Sequence, residues 1–199
     1  MKRLIAIESC QAHSDRVKAQ FATWIRDMTT EIFVFSFTGE FLGISDDYAA
    51  LPQKTQAICK WALGMSTEYL LKIDTDTYVH PARLMASGFE KYDYSGYVLD
   101  WLETPYCAGP AYWLSRKAME LVAAADLSQF RHASYPDAED VTVGLILASH
   151  GIKPHHDRRY APQEDVLPEN DVITSHLSRH HGGFKLEMMF EAHERANGR

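Results

Sequence analysis

The stretch YLLKIDTDTYVH at residues 69–80 runs from an apolar segment directly into two aspartates. Its first five residues predict a buried β-strand, and Asp74 and Asp76 follow where that strand ends. Side chains two residues apart in an extended chain point the same way, so both carboxylates can face one ligand. A hard divalent cation that keeps phosphate oxygens as ligands needs only one or two carboxylates from the protein. The pair is therefore a candidate cation site, and a solvated turn is the alternative.

Strand and helix patterns alternate on both sides of this stretch. Strands are predicted at residues 4–7, 31–37, 69–73, 94–99 and 171–176. Helices are predicted at residues 14–28, 52–65, 115–125 and 139–150, with a short one beginning at Pro81. This alternation predicts a single α/β domain with a mainly parallel central sheet flanked by helices. Ligands of such sheets bind outside the carboxyl ends of the strands, which is where Asp74 and Asp76 fall.

Composition narrows the classes of partner. The chain has 199 residues and a formal charge of −7, so attraction to nucleic acid or to an anionic membrane is disfavoured. Its three cysteines lack the spacing of a disulfide framework or a CxxC motif, which favours free thiols in the cytoplasm. No apolar run approaches the roughly 18 residues of a membrane span. We expect one catalytic domain at residues 1–178, followed by a tail at 179–199 that is either an ordered flap or a loose end.

Two further signals carry possible chemistry. Glu139 and Asp140 stand at the start of a strongly apolar helix, where adjacent side chains diverge by about 100°, so one carboxylate can enter a cleft while the other faces elsewhere. Stabilisation of the helix dipole is the alternative reading. His176 ends a predicted strand, and a neutral imidazole is a common metal ligand, although a structural histidine fits the same pattern.

Five segments together resemble a known enzyme family. They are RVKAQFATW (16–24), DDYAALPQKTQAICKWAL (46–63), YLLKIDTDTYVHPARL (69–84), YCAGPAYWLSRKAMELV (106–122) and EDVTVGLILASHGI (139–152). Their order and approximate spacing resemble those of the β-1,3-galactosyltransferase and Fringe-like glycosyltransferases. The resemblance implies a single-domain, Rossmann-like GT-A fold, a UDP-sugar donor, Mn²⁺ or Mg²⁺, and transfer with inversion at the anomeric carbon.

The acidic triplet of that family matches residues 74–76. By resemblance, Asp76 binds the metal and Asp74 contacts the nucleotide or the donor sugar. His176 looks like the histidine that supplies the other protein ligand of the metal. The middle residue is Thr75 where the family has an acid, and His80 stands where Asn is common, so the resemblance leaves the donor sugar open.

The remaining roles fall on the other segments. Asp140 matches the aspartate of the family's Glu-Asp-Val motif, which takes the proton of the acceptor hydroxyl, and Glu139 is its supporting neighbour. Arg16 and Lys54 lie in the segments that line the nucleotide side. Gly109 resembles the glycine at which the backbone passes close to the donor, an approach that the missing side chain permits.

Departures from the family leave the acceptor open. The family's membrane anchor, stem and luminal disulfides have no counterpart here, which suggests a soluble prokaryotic or viral relative acting on a glycan, a lipid-linked sugar, a protein side chain or, against the charge, a nucleobase. The aromatic residues Trp101, Tyr106 and Trp113 either stack on a sugar or belong to the core. A metal-dependent hydrolase of nucleotide sugars or phosphoesters is the rival enzyme, and a non-catalytic sugar-binding module is the rival of another class.

Overall fold

A computed structural model of the protein describes residues 2–28, 32–178 and 183–198. Its strands are β1 (Arg3–Glu8), β2 (Ile32–Phe37), β3 (Tyr69–Asp74), β4 (Thr77–Val79), β5 (Tyr94–Leu99), β6 (Tyr106–Ser115), β7 (His155–His156) and β8 (Thr174–His176). Six of them form the central sheet in the order β2-β1-β3-β6-β5-β7, and β4 pairs with β8 in a separate two-stranded sheet.

Three of the five neighbouring strand pairs in the central sheet are parallel, namely β1 with β2, β1 with β3, and β5 with β7. The predicted mainly parallel sheet is therefore confirmed. Strand β6 runs antiparallel to both of its neighbours, β3 and β5. This strand is not predicted from the sequence, because Gly109 and Pro110 in its middle are residues that normally interrupt a strand.

The helices are α1 (Ser14–Ala22), α2 (Gly39–Leu42), α3 (Leu51–Gly64), α4 (Pro81–Met85), α5 (Arg116–Ala124), α6 (Glu139–Ser149) and α7 (Leu186–Ala196). Strand side chains alternate between two apolar cores. One core contains Ile5, Leu71 and Trp113 together with residues of α1 and α7. The other contains Leu4, Leu70 and Leu114 together with residues of α3, α5 and α6. No helix in the described ranges combines the length and the apolar composition that crossing a bilayer requires.

Most predicted elements lie close to their predicted bounds. Helix α6 ends as expected, with Gly151 in the left-handed conformation at a φ of +77°, and Ser115 caps α5 by accepting a hydrogen bond from the amide of Ala118. The first helix is shorter than predicted, because turns replace it after Ala22. The predicted start of the second strand, Glu31, lies outside the described residues. Helix α7 is not predicted from the sequence, and its buried Met189 packs in the core beside α1.

Two strand registers bring polar residues to the carboxyl edge of the sheet. Glu8 is the last residue of β1 and lies directly opposite Asp74, the last residue of β3. Thr77 of β4 lies opposite His176 of β8, so this pairing carries His176 to the turn that contains Asp76. A buried glutamine of α1, Gln20, donates hydrogen bonds to the carbonyl oxygens of Asp74 and Thr77 and so holds that turn in place.

Candidate active site

A cleft of about 390 Å³ opens at the carboxyl ends of β1 and β3. Its walls come from three parts of the chain: the end of β1 with the loop and helix α1 that follow, the segment from the loop after α2 into α3, and the end of β3 with the turn after it. The lining residues are Glu8, Ser9, Cys10, His13, Arg16, Asp46, Tyr48, Leu51, Lys54, Asp74, Thr75 and Asp76. Four residues predicted from the sequence, Arg16, Lys54, Asp74 and Asp76, therefore face one cavity.

Asp76 is at the centre of the first polar group, which we call the Asp76 cluster and which consists of Asp76, His176, Ser178 and Arg16. His176 Nε2 lies 3.4 Å from Asp76 Oδ1, and Arg16 Nη1 lies 3.6 Å from Oδ2. The hydroxyl of Ser178 donates a hydrogen bond of 2.5 Å to Oδ2. Burial on its own raises the pKa of Asp76, but His176, Ser178 and Arg16 together lower it to about 2. Burial opposes protonation of His176, yet Asp76 raises its pKa overall.

The Asp76 cluster fits a divalent cation that shares its ligands with a phosphorylated substrate. Asp76 Oδ1 and His176 Nε2 lie 3.4 Å apart, close enough to bind one cation, and the β4–β8 pairing holds His176 beside the turn that contains Asp76. Within the described ranges, no group of three or more histidine, cysteine, aspartate or glutamate side chains is arranged to hold a metal. The two residues are thus enough only for a cation whose other ligands come from substrate and water, as is usual for Mg²⁺.

The second polar group surrounds a buried ammonium ion, and we call it the Lys72 cluster. It consists of Lys72, Glu8, Asp74, Glu139, Tyr112 and Thr55. Lys72 Nζ lies 2.6 Å from Asp74 Oδ1, 2.6 Å from Glu139 Oε1 and 3.1 Å from Glu8 Oε2. The hydroxyl of Tyr112 donates a 2.6 Å hydrogen bond to Glu139 Oε2. The cluster therefore ties the ends of β1 and β3 to the first residue of α6.

Three carboxylates around one ammonium ion leave excess negative charge in a buried place. Burial lowers the pKa of Lys72, but the charges of Asp74, Glu139 and Glu8 raise it well above its ordinary value, so the ammonium ion stays charged. Burial raises the pKa of Glu139 to about 8 against the attraction of Lys72, with Glu8 and Asp140 adding to the rise. Burial also raises the pKa of Glu8. The cluster accordingly favours a proton on one of its two buried glutamates near neutral pH.

Asp140 is held by the backbone of β6. Neither neighbouring strand pairs with residues 108–110, because the β5–β6 register shifts between Gly96 and Val98 and the β3–β6 register ends at Ala111. This bulge frees both polar groups of Gly109. Its amide donates a 2.9 Å hydrogen bond to Asp140 Oδ2, and its carbonyl accepts one of 2.9 Å from Lys72. Gly109 is thus the link between Asp140 and the Lys72 cluster.

Space around Gly109 explains why this position suits glycine. A Cβ atom there would lie 3.3 Å from both Asp140 Oδ2 and Glu139 Oε1.

Asp140 Oδ1 accepts a further hydrogen bond of 2.8 Å from the amide of Val141. Burial raises the pKa of Asp140 from its ordinary value despite these hydrogen bonds, which makes the carboxylate a better proton acceptor.

Lys54 and Arg16 place positive charge on the cleft from two sides. Lys54 is buried, and its Nζ donates hydrogen bonds to the carbonyl oxygen of Ser9 at 2.5 Å and to Asp46 Oδ1 at 2.9 Å. The Arg16 guanidinium lies 4.8 Å from the centre of the Phe184 ring as well as beside Asp76. An anionic ligand in the cleft would therefore meet two fixed cations.

Several polar residues of the site are missed by the sequence analysis. Glu8 comes directly after the first predicted strand and Lys72 lies inside the third, and neither is a predicted site residue. A lysine inside YLLKID is itself a signal, because a buried lysine needs carboxylate partners. Tyr48 is 70% exposed and lines the same cleft as Asp74 and Asp76.

The three aromatic residues singled out in the sequence occupy different environments. Trp113 is fully buried and stacks on Phe89 at 3.6 Å between ring centres, so it belongs to the core. Tyr106 is also buried, at the start of β6. Trp101 lies in the loop between β5 and β6 with 55% of its surface exposed.

The fold is similar to those of solved glycosyltransferases. A glycosyltransferase described as involved in the glycosylation of the major capsid of PBCV-1 matches with a TM-score of 0.62 over 96% of this chain and 99% of its own, at 12% identity. The apo-form glycosyltransferase GlyE of Streptococcus pneumoniae TIGR4 matches with a TM-score of 0.58 over 96% of this chain and 60% of its own, at 9% identity. No protein-family profile and no curated protein sequence matches the chain. The likenesses confirm the predicted GT-A type of fold.

Proposed function

We propose that this chain, which has the fold of GT-A glycosyltransferases, is a metal-dependent inverting enzyme that moves a hexose from a UDP-sugar to an acceptor hydroxyl and forms a β-linkage. The observation that carries the proposal is that two polar groups meet at one sheet edge. Asp76 lies beside His176, and Asp140 is linked through the backbone of Gly109 to Lys72, which also binds Asp74. The resemblance of the five sequence segments supports uridine as the base and Asp74 as a donor contact.

Asp140 acts on the acceptor. Its carboxylate takes the proton of the attacking hydroxyl as that oxygen forms a bond to the anomeric carbon, a step typically worth about 10² to 10⁴ in rate. The raised pKa of Asp140 favours this role, and the amide of Gly109 orients the carboxylate. Glu139 supports its neighbour from within the Lys72 cluster. Because one displacement breaks the donor bond, the anomeric configuration inverts.

The residues around Asp76 act on the leaving group. The bond from the anomeric carbon to the phosphate oxygen breaks, and its electron pair goes to the departing diphosphate. Asp76 and His176 would hold a divalent cation, which would supply Lewis-acid stabilisation of that charge when bound. Arg16, beside Asp76, and Lys54, at the base of the cleft, add positive charge on the nucleotide side. No side chain is needed to protonate the diphosphate.

Binding of UDP tests the proposal directly. The melting temperature of the wild-type chain is measured with UDP and a panel of UDP-hexoses, in Mn²⁺, in Mg²⁺ and in chelator. We expect stabilisation by UDP that needs the cation and is lost in Asp76→Asn. The matched control is Asp15→Asn, which removes an exposed aspartate of α1 paired with Lys18 and should leave the UDP effect unchanged.

Two results would count against the transferase. Absence of stabilisation by every uridine nucleotide would remove the donor site. Release of free sugar from the donor at the same rate with and without acceptor sugars would instead favour the hydrolase that the acidic turn also allows.

A further inference from the structure

Two exposed aromatic side chains and one buried tyrosine form a group near the proposed catalytic base. Trp101 packs edge to face with Tyr135 at 5.2 Å between ring centres and with Tyr106 at 6.2 Å. We call these three residues the Trp101 platform. Tyr135 stacks in turn on His132 at 5.6 Å. Trp101 is 55% exposed and Tyr135 42%, so the platform is a supported aromatic surface that remains open to solvent.

The backbone places the Trp101 platform next to Asp140. Tyr106 packs against Gly144 of α6 so closely that a Cβ on that glycine would lie 2.5 Å from the Cβ of Tyr106. Gly144 is four residues beyond Asp140, which is about 6 Å along the helix axis. Three residues after Tyr106 in β6, the amide of Gly109 binds Asp140. Tyr106, the buried member of the platform, therefore lies on the strand that binds the base and against the helix that carries it.

Electrostatics agree with this placement. Burial raises the pKa of Tyr106 to about 12, and the negative charge of Asp140 is the next cause, followed by Tyr135. The charge of Asp140 thus reaches the hydroxyl of Tyr106, whose ring contacts Trp101. The cleft that holds Asp74 and Asp76 is lined by other residues and does not include the platform. A ligand on Trp101 would approach Asp140 from outside the proposed donor site.

We propose that the Trp101 platform binds the pyranose ring of an acceptor glycan. This inference rests on the proposed function, because it assigns the acceptor class of the same reaction. A pyranose presents a face of C–H groups that packs on the negative face of an aromatic ring, while its hydroxyl groups stay at the edge. A serine or threonine side chain has no such face and does not need an exposed tryptophan. A sugar stacked on Trp101 would present one of its edge hydroxyls to Asp140.

Fluorine NMR on the 5-fluorotryptophan protein reads this contact without turnover. The chain has four tryptophans, and Trp101→Phe assigns the resonance of interest. The protein, with Mg²⁺ and UDP, is titrated with methyl β-D-galactopyranoside, methyl β-D-glucopyranoside, methyl α-D-mannopyranoside, methyl N-acetyl-β-D-glucosaminide and lactose. D-Sorbitol, which has the hydroxyl groups but no ring, and a serine- and threonine-containing peptide are the comparison ligands.

We expect at least one saccharide to shift the Trp101 resonance in a saturable way, whereas sorbitol and the peptide do not. Trp101→Ala should weaken that saccharide about tenfold, as followed by saturation-transfer NMR, and Trp101→Phe about threefold. Phe33→Ala, which removes an aromatic ring 50% exposed on the edge strand β2, should leave saccharide binding unchanged. The Phe variant keeps a ring at the position and guards against misfolding of the Ala variant.

The outcomes separate the two proposals. If UDP stabilises the protein but no saccharide moves the Trp101 resonance, or if only the peptide does, the acceptor assignment is wrong and the transferase proposal stands. If a saccharide binds Trp101 while no uridine nucleotide stabilises the chain, the transferase proposal falls, and Trp101 is a sugar-binding surface without an acceptor role.

Discussion

Lys72 Nζ lies 2.6 Å from Glu139 Oε1, so a buried ammonium ion of β3 holds the first residue of α6. The same atom lies 2.6 Å from Asp74 Oδ1, and Lys72 is only 2% exposed. Asp140 is the next residue of α6, and the position of the proposed base therefore depends on an ion pair that does not touch the acceptor. Removal of that ion pair has consequences for both folding and activity.

Lys72→Met should lower the free energy of unfolding by about 3–5 kcal/mol, because three carboxylates lose the only cation of the Lys72 cluster. Urea denaturation measures the change. The control is Lys117→Met, which breaks an exposed pair with Asp93 and should cost less than about 1 kcal/mol. Equal effects of the two substitutions would show that the buried cluster contributes no more than a surface pair.

Glu139→Gln should change how stability depends on pH. The pKa of Glu139 is raised from 4.5 to about 8 on folding, so the folded chain binds this proton more tightly than the unfolded chain. The contribution of Glu139 to stability therefore falls as pH rises from about 4.5 to about 8, by up to about 1.4 kcal/mol per pH unit. Because Glu139→Gln removes the titrating carboxyl group, the free energy of unfolding of this variant should fall less steeply as pH rises.

Urea denaturation of the wild type and of Glu139→Gln, at intervals from pH 5 to pH 8, measures how the free energy of unfolding depends on pH. The wild type should lose more stability over the interval than the variant. Glu120→Gln, at an exposed i,i+4 pair with Arg116, is the control and should follow the wild type. A wild type whose stability rises over the interval relative to Glu139→Gln would mean that Glu139 is ionised by Lys72 throughout.

Met189→Ala tests whether the end of the chain belongs to the domain core. Met189 of α7 is fully buried, so its truncation should cost about 2–5 kcal/mol in the free energy of unfolding. Phe190 is 43% exposed, and Phe190→Ala should cost about 0.5 kcal/mol. Similar small losses for both variants, measured in urea, would instead indicate that α7 is a separable flap after residue 178.

Asp140→Asn should lower transfer by about 10² to 10⁴, because an amide cannot take a proton from the acceptor. Its oxygen can still accept the hydrogen bond of Gly109, so stabilisation by UDP with Mn²⁺ should be unchanged. UDP release from a UDP-hexose with an acceptor sugar measures the rate. Asp137→Asn, at an aspartate paired with Arg131 just before the helix, is the matched control. Transfer by Asp140→Asn at the wild-type rate would show that another group is the base.

The alternation of apolar segments was enough to predict most strands and helices, because those segments have strong local periodicity. Helix α7 was missed for a physical reason: its core face is made by Met189, Ala192 and Ala196, and two alanines give a weak apolar signal. Strand β6 was missed because Gly109 and Pro110 interrupt it. That interruption is the bulge that frees the amide of Gly109 to bind Asp140. The rule that glycine and proline end a strand therefore fails at a position that belongs to the candidate site.

Without the family resemblance, candidate site residues could be named mainly where a polar residue ends or follows a predicted strand. Asp74 and Asp76 follow one, and His176 ends β8. The links among them depend on contacts between distant segments, such as Glu8 with Asp74 across the β1–β3 register. Lys72 could have been found from sequence, since a lysine in an apolar strand requires a partner. Its pairing with three carboxylates could not, because they come from three separate elements.

Gly109→Ala tests the link between the bulge and the base. The added methyl group would lie 3.3 Å from Asp140 Oδ2, so the carboxylate must move by a few tenths of an ångström. Transfer should fall about tenfold, less than the roughly 10²-fold cost of a 1 Å misplacement, while UDP binding persists. Gly64→Ala in α3, where nothing lies within 4 Å of the new atom, should leave transfer unchanged and raise stability by about 0.5–1 kcal/mol. Wild-type transfer in Gly109→Ala would mean that the position of Asp140 does not depend on the β6 backbone, and the proposed role of the bulge would be wrong.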